Sequence, residues 1–478
     1  MKLSRRKFNY ALLAFLMLAV EIAIYNIWVR SMDTDQGLIL VSATSACVFF
    51  LELFIWKRLT GELLSPYIVF FVVLFIFCCG QSLGWIFGVE MGDRDLWNRS
   101  TYGMTHELLL QGMYYSMIGI TCFFIGSIVG KKIDTHNDIC TYISSESVIS
   151  AYKNIGKIML VLCVPAFLAI TLQNIVAVSA SGYLAYYDVS ASRSTIMKIA
   201  NQIAEFYQPC LLILLIAYRE KKHIRISILI AMLIDVLASL YVGGRSGAFM
   251  TLLGIIVAYH YFIKPFTRKQ IILGGIAGYF AMAMSNAISI SRVDSGRSIL
   301  DFIVGIFSGT NVISEFIGEL GWNLTSICWT MKLVPSSYPF RYGMSYLVSL
   351  LTLIPSSFFG GKHPIVTWAN LGDWLQSSLG LTSGPGYTMV AESYINFGWF
   401  GVLALFVEGI IIAKAIARVD RRNTENNLLG STFQVITIMT VMKSLTRASV
   451  SSAMRTILLV IVPLYIIIKL SLRKSIDE

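Results

Sequence analysis

The stretch SLYVGGRSGAFMTL, residues 239–252, lies between two apolar runs, IRISILIAMLIDVLA (224–238) and LGIIVAYHYFI (253–263). With flanking residues the two runs predict helices at about 225–242 and 247–263, which at about 1.5 Å per residue rise roughly 25–27 Å, close to a hydrocarbon core of roughly 30 Å. Gly243, Gly244 and Gly247 permit a tight turn between them and a close approach of the backbone. The stretch therefore predicts a helical hairpin in a membrane, with Arg245 in its turn.

Apolar runs of this kind recur along the whole chain. Of its 478 residues, 56% are hydrophobic and only 14% are charged, too few polar groups to cover a soluble protein of this length. The runs are continuous rather than alternating, which argues against a β-barrel. The sequence predicts an all-α polytopic membrane protein with about twelve transmembrane helices. These are expected at about 10–28, 37–55, 66–88, 108–129, 155–176, 198–218, 225–242, 247–263, 271–290, 393–413, 428–446 and 454–470.

The basic residues predict how the spans are oriented. Both termini and five loops together carry 24 of the 38 Lys and Arg residues, and with twelve spans all seven segments fall on one side. The positive-inside rule makes this side cytoplasmic, with both termini inside. The net charge of +11 follows from this topology, so it calls for no nucleic-acid partner. No small-residue cleavage site follows the first apolar run, which predicts a retained first helix rather than a cleaved signal peptide.

The outer side has a different balance of basic residues. Of the 14 that remain, 10 are arginines, whereas the inner side has 10 Arg and 14 Lys. A guanidinium group binds phosphate through two parallel hydrogen bonds, so an arginine-rich outer face favours a phosphorylated ligand. Chance in a small sample is the alternative explanation.

One outer segment, residues 291–391, is a predicted loop of about a hundred residues rich in Trp, Tyr and Gly. Its apolar stretch YLVSLLTLIP (346–355) is too short to span, which indicates a half-helix or an interfacial helix. Long structured loops commonly carry function. We therefore divide the chain into transmembrane helices 1–9 (1–290), the large outer loop (291–391), and helices 10–12 with a cytoplasmic C-terminus (392–478).

Several outer residues are candidates for binding and chemistry. Glu392 and Asn396 lie one helical turn apart in SGPGYTMVAESYINFGWFG (383–401), so Glu392 is a candidate base at the mouth of span ten. His363 titrates in a range that suits a general base, although a lone histidine is more often structural. Candidate anion ligands are Arg245 in the hairpin turn, Arg292 and Arg297 in SISRVDSGRSILDF (289–302), and Arg341 in PFRYGMSY (339–346). For each of them a capping or interfacial role is the alternative.

Several common chemistries have no motif in this sequence. It contains no P-loop, no HExxH helix and no CxxC pair, and its GxSxG pattern, GQSLG (80–84), lies inside an apolar run predicted to span the membrane and not in a strand-to-helix elbow. These observations predict an activity without ATP hydrolysis, zinc or a serine nucleophile, and we expect no metal site and no cofactor.

Four stretches together resemble those of the bacterial oligosaccharide repeat-unit polymerases, the Wzy proteins of O-antigen and capsule assembly. They are GGRSG (243–247), SRVDSGR (291–297), PFRYGMSY (339–346) and AESYINFGWFG (391–401). The layout of about twelve spans with one large outer loop late in the chain is also similar. The resemblance implies a GT-C-like membrane glycosyltransferase of the bacterial cytoplasmic membrane that acts on the outer face without metal or nucleotide.

The resemblance also implies the substrates and the roles of the candidate residues. The growing glycan would leave undecaprenyl diphosphate and join the non-reducing end of a new lipid-linked repeat unit. A chain-length regulator and a flippase of the same pathway are the expected partners. We expect Arg245, Arg292, Arg297 and Arg341 to stabilise the diphosphate, Glu392 or else His363 to act as base, and Tyr342, Tyr387, Tyr394 and Asn396 to position sugars.

Two other functions fit the same layout. An O-antigen ligase, which moves finished polymer to the lipid A core, has a similar arrangement of spans and outer loop. A flippase or exporter of lipid-linked oligosaccharides is also consistent with about twelve spans, and acidic residues within the spans give it weak support. The long outer loop rich in Trp and Arg favours the transferase.

Overall fold

The computed structural model describes residues 5–61, 65–98, 103–131, 145–182, 185–267, 269–270, 273–274, 278, 312–381, 384–417 and 427–477. Within these ranges the chain is helical and contains no strand. The α-helices are Arg5–Ile27, Thr34–Thr60, Pro66–Phe87, His106–Gly130, Ser145–Ser181, Ala185–Ser192, Thr195–Ala204, Tyr207–Ala217, Lys222–Tyr241, Arg245–Ala258, Val312–Gly321, Leu324–Leu333, Met344–Ser349, Pro364–Trp368, Leu371–Leu379, Met389–Phe397, Gly401–Ile416, Leu428–Arg447, Val450–Thr456 and Val462–Asp477.

Ten helices of the described ranges are long and apolar enough to cross a membrane, and each overlaps a predicted span. The eighth predicted span corresponds to a shorter apolar helix, Gly247–Ile263. The ninth predicted span, 271–290, falls largely outside the described residues. The prediction of an all-helical polytopic membrane protein is thus confirmed.

Short helices occupy the described part of the predicted outer loop. None of the ten candidate spans lies within 312–381. The stretch 346–355 begins in the short helix Met344–Ser349 and continues as the 3-10 turn Leu350–Leu353. This agrees with the prediction of a non-spanning helix there.

The residues Met1–Asp138, Ser314–Arg418 and Val441–Arg455 form one compact unit. Within it, helix His106–Gly130 packs along Gly401–Ile416. A Cβ atom at Gly126 would overlap the carbonyl oxygen of Phe406. The glycine therefore permits the close helix–helix approach that is common in membranes.

The residues Ile139–Ile313, Val419–Thr440 and Thr456–Glu478 form the second unit. Here the helices Lys222–Tyr241 and Arg245–Ala258 pack against each other as a hairpin. Gly243 adopts φ 91°, and the N–H of Gly244 donates to the Ser239 carbonyl at 2.7 Å. The predicted tight turn is confirmed, and Arg245 is the first residue of the second helix.

Candidate active site

Glu392 and Asn396 lie on the helix Met389–Phe397. The helix begins where the Thr388 hydroxyl accepts the N–H of Ala391 at 3.1 Å, and it ends at Gly398, whose φ is 57°. The Asn396 Nδ2 atom donates to the Glu392 carbonyl at 2.7 Å, which confirms that the two residues share one face. Both side chains are fully buried.

Two hydrogen bonds hold the carboxylate of Glu392, which has 0% of its surface exposed. The Ser345 hydroxyl donates to Oε1 at 2.6 Å, and the backbone N–H of Val450 donates to Oε2 at 2.7 Å. Each oxygen of a carboxylate has two lone pairs, so both oxygens retain the capacity to accept another proton donor. The carboxylate is therefore fixed in orientation yet still able to act as a base.

The segment Arg341–Ser345 is bound to the end of this helix. The N–H groups of Arg341 and Tyr342 donate to the carbonyls of Ile395 and Asn396 at 2.9 and 3.0 Å. The Asn396 side chain accepts the N–H of Gly343 at 3.0 Å and donates to Ser345 Oγ at 2.8 Å. Asn396 thus holds in place the serine that binds Glu392.

The side chain of Arg341, the first residue of this segment, is buried. Its Nη1 atom donates to the carbonyls of Thr367 and Trp368, and its guanidinium carbon lies 5.2 Å from the ring centroid of Trp374. Burial lowers the pKa of Arg341, while the electrostatic interactions with Tyr387 and Glu392 oppose that shift. Arginine nevertheless keeps its charge in proteins, so Arg341 supplies a fixed positive charge close to Glu392.

Three tyrosines predicted to position sugars differ in their environment. The Tyr387 hydroxyl is buried against Thr330 Oγ1 at 2.8 Å, and this burial raises its pKa. Tyr394 lies in an aromatic group with Phe340 and with other rings. Tyr342 is 75% exposed and adopts φ 49°, a left-handed conformation that is uncommon for a residue with a side chain. Only Tyr342 presents its ring to solvent.

His363 has a structural role in the described conformation. Its Nδ1 atom accepts the N–H of Ile365 at 3.1 Å and so begins the helix Pro364–Trp368. Its Nε2 atom lies 3.2 and 3.0 Å from the carbonyls of Leu351 and Ile354. Because both ring nitrogens have backbone partners, the geometry favours Glu392 over His363 as the base.

Of the four arginines predicted to bind phosphate, the structure describes the side chain of Arg341 alone. Arg341 lies in the first unit with Glu392, whereas the backbone of Arg245 belongs to the second unit, and its side chain lies outside the described part of the structure. Arg292 and Arg297 also lie outside the described residues. The structure therefore brings together Arg341, Tyr342, Tyr387, Glu392, Tyr394 and Asn396.

The sequence reasoning missed two partners of Glu392. Ser345 precedes it by 47 residues and Val450 follows it by 58. Ser345 lies within PFRYGMSY, but a serine is a weaker signal of a functional site than the arginine and the tyrosines beside it. Val450 binds through its backbone, so its side chain gave no signal.

The arrangement suits proton transfer and the binding of an anion. It offers a fixed carboxylate on the helix Met389–Phe397, with a buried arginine and an exposed aromatic ring on the segment Arg341–Ser345 that is bound to this helix. Among the described residues, no group of three or more His, Cys, Asp or Glu side chains has the arrangement of a metal site.

Comparison with known proteins supplies an independent result. Residues 9–475, nearly the whole chain, match the model of the family described as O-antigen polysaccharide polymerase Wzy. No curated protein and no solved structure matches the chain significantly.

Proposed function

Because the chain belongs to the O-antigen polysaccharide polymerase Wzy family, which polymerises repeat units into O-antigen, we propose that it does so by glycosyl transfer between lipid-linked substrates. The donor is the growing glycan on undecaprenyl diphosphate, and the acceptor is a single repeat unit on the same carrier. The observation that best supports this chemistry is the carboxylate of Glu392, oriented by Ser345 and Val450 in the same unit as Arg341.

In the proposed reaction Glu392 is the general base. The acceptor hydroxyl gives its proton to the carboxylate as its oxygen attacks the anomeric carbon of the donor. The bond from that carbon to the diphosphate oxygen breaks, and the electron pair leaves with the diphosphate. A base correctly positioned for such a step contributes roughly 10²–10⁴-fold in rate.

The acceptor must first reach a carboxylate that has no exposed surface. We propose that the segment Arg341–Ser345 moves to admit it. Tyr342 and Gly343 both have left-handed backbone angles, φ 49° and φ 83°, and the Tyr342 ring is available for stacking on a sugar. Ser345 would then exchange its hydrogen bond to Glu392 for the acceptor hydroxyl.

Negative charge develops on the diphosphate as the glycosidic bond breaks, and arginines suit its stabilisation. We assign this role to Arg341, and on the sequence alone to Arg245, Arg292 and Arg297. Tyr342, Tyr387, Tyr394 and Asn396 position the sugars, with Asn396 acting through Ser345. His363 remains the second choice for the base.

The setting of the reaction is also part of the proposal. The enzyme has a GT-C-like architecture of twelve spans, with its large loop 291–391 outside and both termini in the cytoplasm of a bacterial inner membrane. It works on the outer face without metal or nucleotide. A flippase and a chain-length regulator of the same pathway are its proposed partners.

A reconstituted assay separates this function from the alternatives. We expect the purified protein in liposomes to lengthen undecaprenyl-diphosphate-linked repeat units in the presence of EDTA and without nucleotide. Transfer of glycan only to lipid A core would identify a ligase, and movement of lipid-linked glycan across the bilayer without elongation would identify a flippase. Either result would overturn the proposed reaction.

A further inference from the structure

Two basic residues, Lys443 and Arg447, lie in the C-terminal part of the helix Leu428–Arg447. Lys443 and Arg447 lie four residues apart, so they share one face of the helix, with Cβ atoms about 5–6 Å apart. Their like positive charges repel each other. Among the described residues, neither cation has an acidic side chain within ion-pairing distance.

This cation pair is close in sequence to a residue that binds the proposed base. The N–H of Tyr387 donates to the Arg447 carbonyl at 3.2 Å, and Gly386, with φ 78°, lies against the Arg447 side chain. Three residues further along, the Val450 N–H binds Glu392 Oε2. One short segment therefore carries both the cations and a donor that orients the carboxylate.

A helix C-terminus attracts one cation, because its unpaired carbonyls carry partial negative charge. That effect explains a single basic residue in the last turn and gives no reason for a second cation that repels the first. Both cations lie at an end of a candidate span, where an uncompensated charge is costly unless it meets water or a ligand. Within the described ranges no acidic side chain compensates the two charges, and an anion with two charged groups would do so.

We propose that Lys443 and Arg447 bind the diphosphate of the lipid-linked donor, each cation contacting one phosphate group. The inference rests on the proposed function, because it places the leaving group beside the base of that same reaction. Lys443 supplies a point charge, and Arg447 supplies a guanidinium fork that matches phosphate geometry. The headgroup of an anionic phospholipid has related chemistry and must be distinguished by experiment.

The test is equilibrium binding of undecaprenyl diphosphate, without sugar, to the full-length protein in phosphatidylcholine nanodiscs. We expect Lys443→Gln and Arg447→Gln each to raise Kd about tenfold, the double variant to raise it further, and Arg447→Lys to fall in between. The matched control is Lys332→Gln, because Lys332 is an exposed lysine of the same unit that contacts the carbonyl of Gly103. Its Kd should stay at the wild-type value.

Two results would overturn the inference. One is an unchanged Kd in the double variant while its thermal unfolding midpoint matches that of the wild type. The other is displacement of undecaprenyl diphosphate by an equal concentration of phosphatidylglycerol, which would identify a general lipid-headgroup site. Binding is measured without an acceptor, so it is independent of elongation: failure of the proposed function would appear as absent elongation, not as unchanged binding.

Discussion

Arg341 and Arg94 make similar aromatic contacts in different surroundings. Their guanidinium carbons lie 5.2 Å and 5.1 Å from the ring centroids of Trp374 and Trp322. Arg341 is buried and donates to backbone carbonyls, whereas the Arg94 side chain is exposed. We expect Arg341→Gln to lower the free energy of unfolding by about 2–3 kcal/mol and Arg94→Gln by about 0.5–1 kcal/mol. Denaturant titration in detergent measures both, and equal losses would contradict the buried role of Arg341.

Tyr342 separates backbone strain from ligand binding. A left-handed conformation costs a residue with a side chain about 1 kcal/mol or more, and glycine avoids this cost. We expect Tyr342→Gly to leave stability unchanged or higher and to reduce elongation, since the stacking ring is lost. Tyr342→Phe keeps the ring and should keep most of the activity. Full elongation by the glycine variant would show that the ring does not bind sugar.

At the scale of residues, only local relations could be predicted from the sequence. The spacing of Glu392 and Asn396 gave their common face, because helix geometry fixes neighbours four residues apart. The contacts of Glu392 with Ser345 and Val450 join segments that are distant in the chain. Nothing in the local pattern encodes which distant segments meet, and a backbone donor such as the Val450 N–H leaves no mark in the sequence.

Helix packing depends on Gly126, whose Cα hydrogen faces the backbone of helix Gly401–Ile416. We expect Gly126→Ala to destabilise the protein by about 1–3 kcal/mol, because the added methyl group meets a carbonyl and not a flexible side chain. Gly372 is the matched control, since nothing lies within 4 Å of a Cβ atom added there. Gly372→Ala should stabilise by about 0.5–1 kcal/mol. Thermal unfolding of both variants tests this, and equal shifts would refute close packing at Gly126.

The elements themselves were the most predictable part of the structure. Continuous apolar runs decide where a chain enters a membrane, so ten predicted spans reappear as long apolar helices. Helix Ser145–Ser181 nevertheless extends beyond the predicted span 155–176 at both ends. A helix can extend beyond the hydrocarbon core into polar surroundings, whereas hydropathy predicts only its apolar part.

The proposed orientation of the chain places the hairpin turn outside. We expect a cysteine at Ser246, next to Arg245, to react with a membrane-impermeant maleimide applied to the periplasmic side. A cysteine at Glu220, in the basic loop predicted to be cytoplasmic, should react only after the membrane is opened. Labelling above the wild-type background reports both positions. The reverse pattern would remove Arg245 from the proposed outer site.

The central claim is that the carboxylate of Glu392 takes the acceptor proton during elongation. The most direct measurement is the initial rate of elongation by Glu392→Gln with purified lipid-linked repeat units in liposomes. Glu52→Gln is the control, because Glu52 is a buried acid of the same unit. We predict that Glu392→Gln lowers the rate by about 10²–10⁴-fold at an unchanged unfolding midpoint, while Glu52→Gln elongates near the wild-type rate. A wild-type rate in Glu392→Gln, at equal protein levels, would contradict the account.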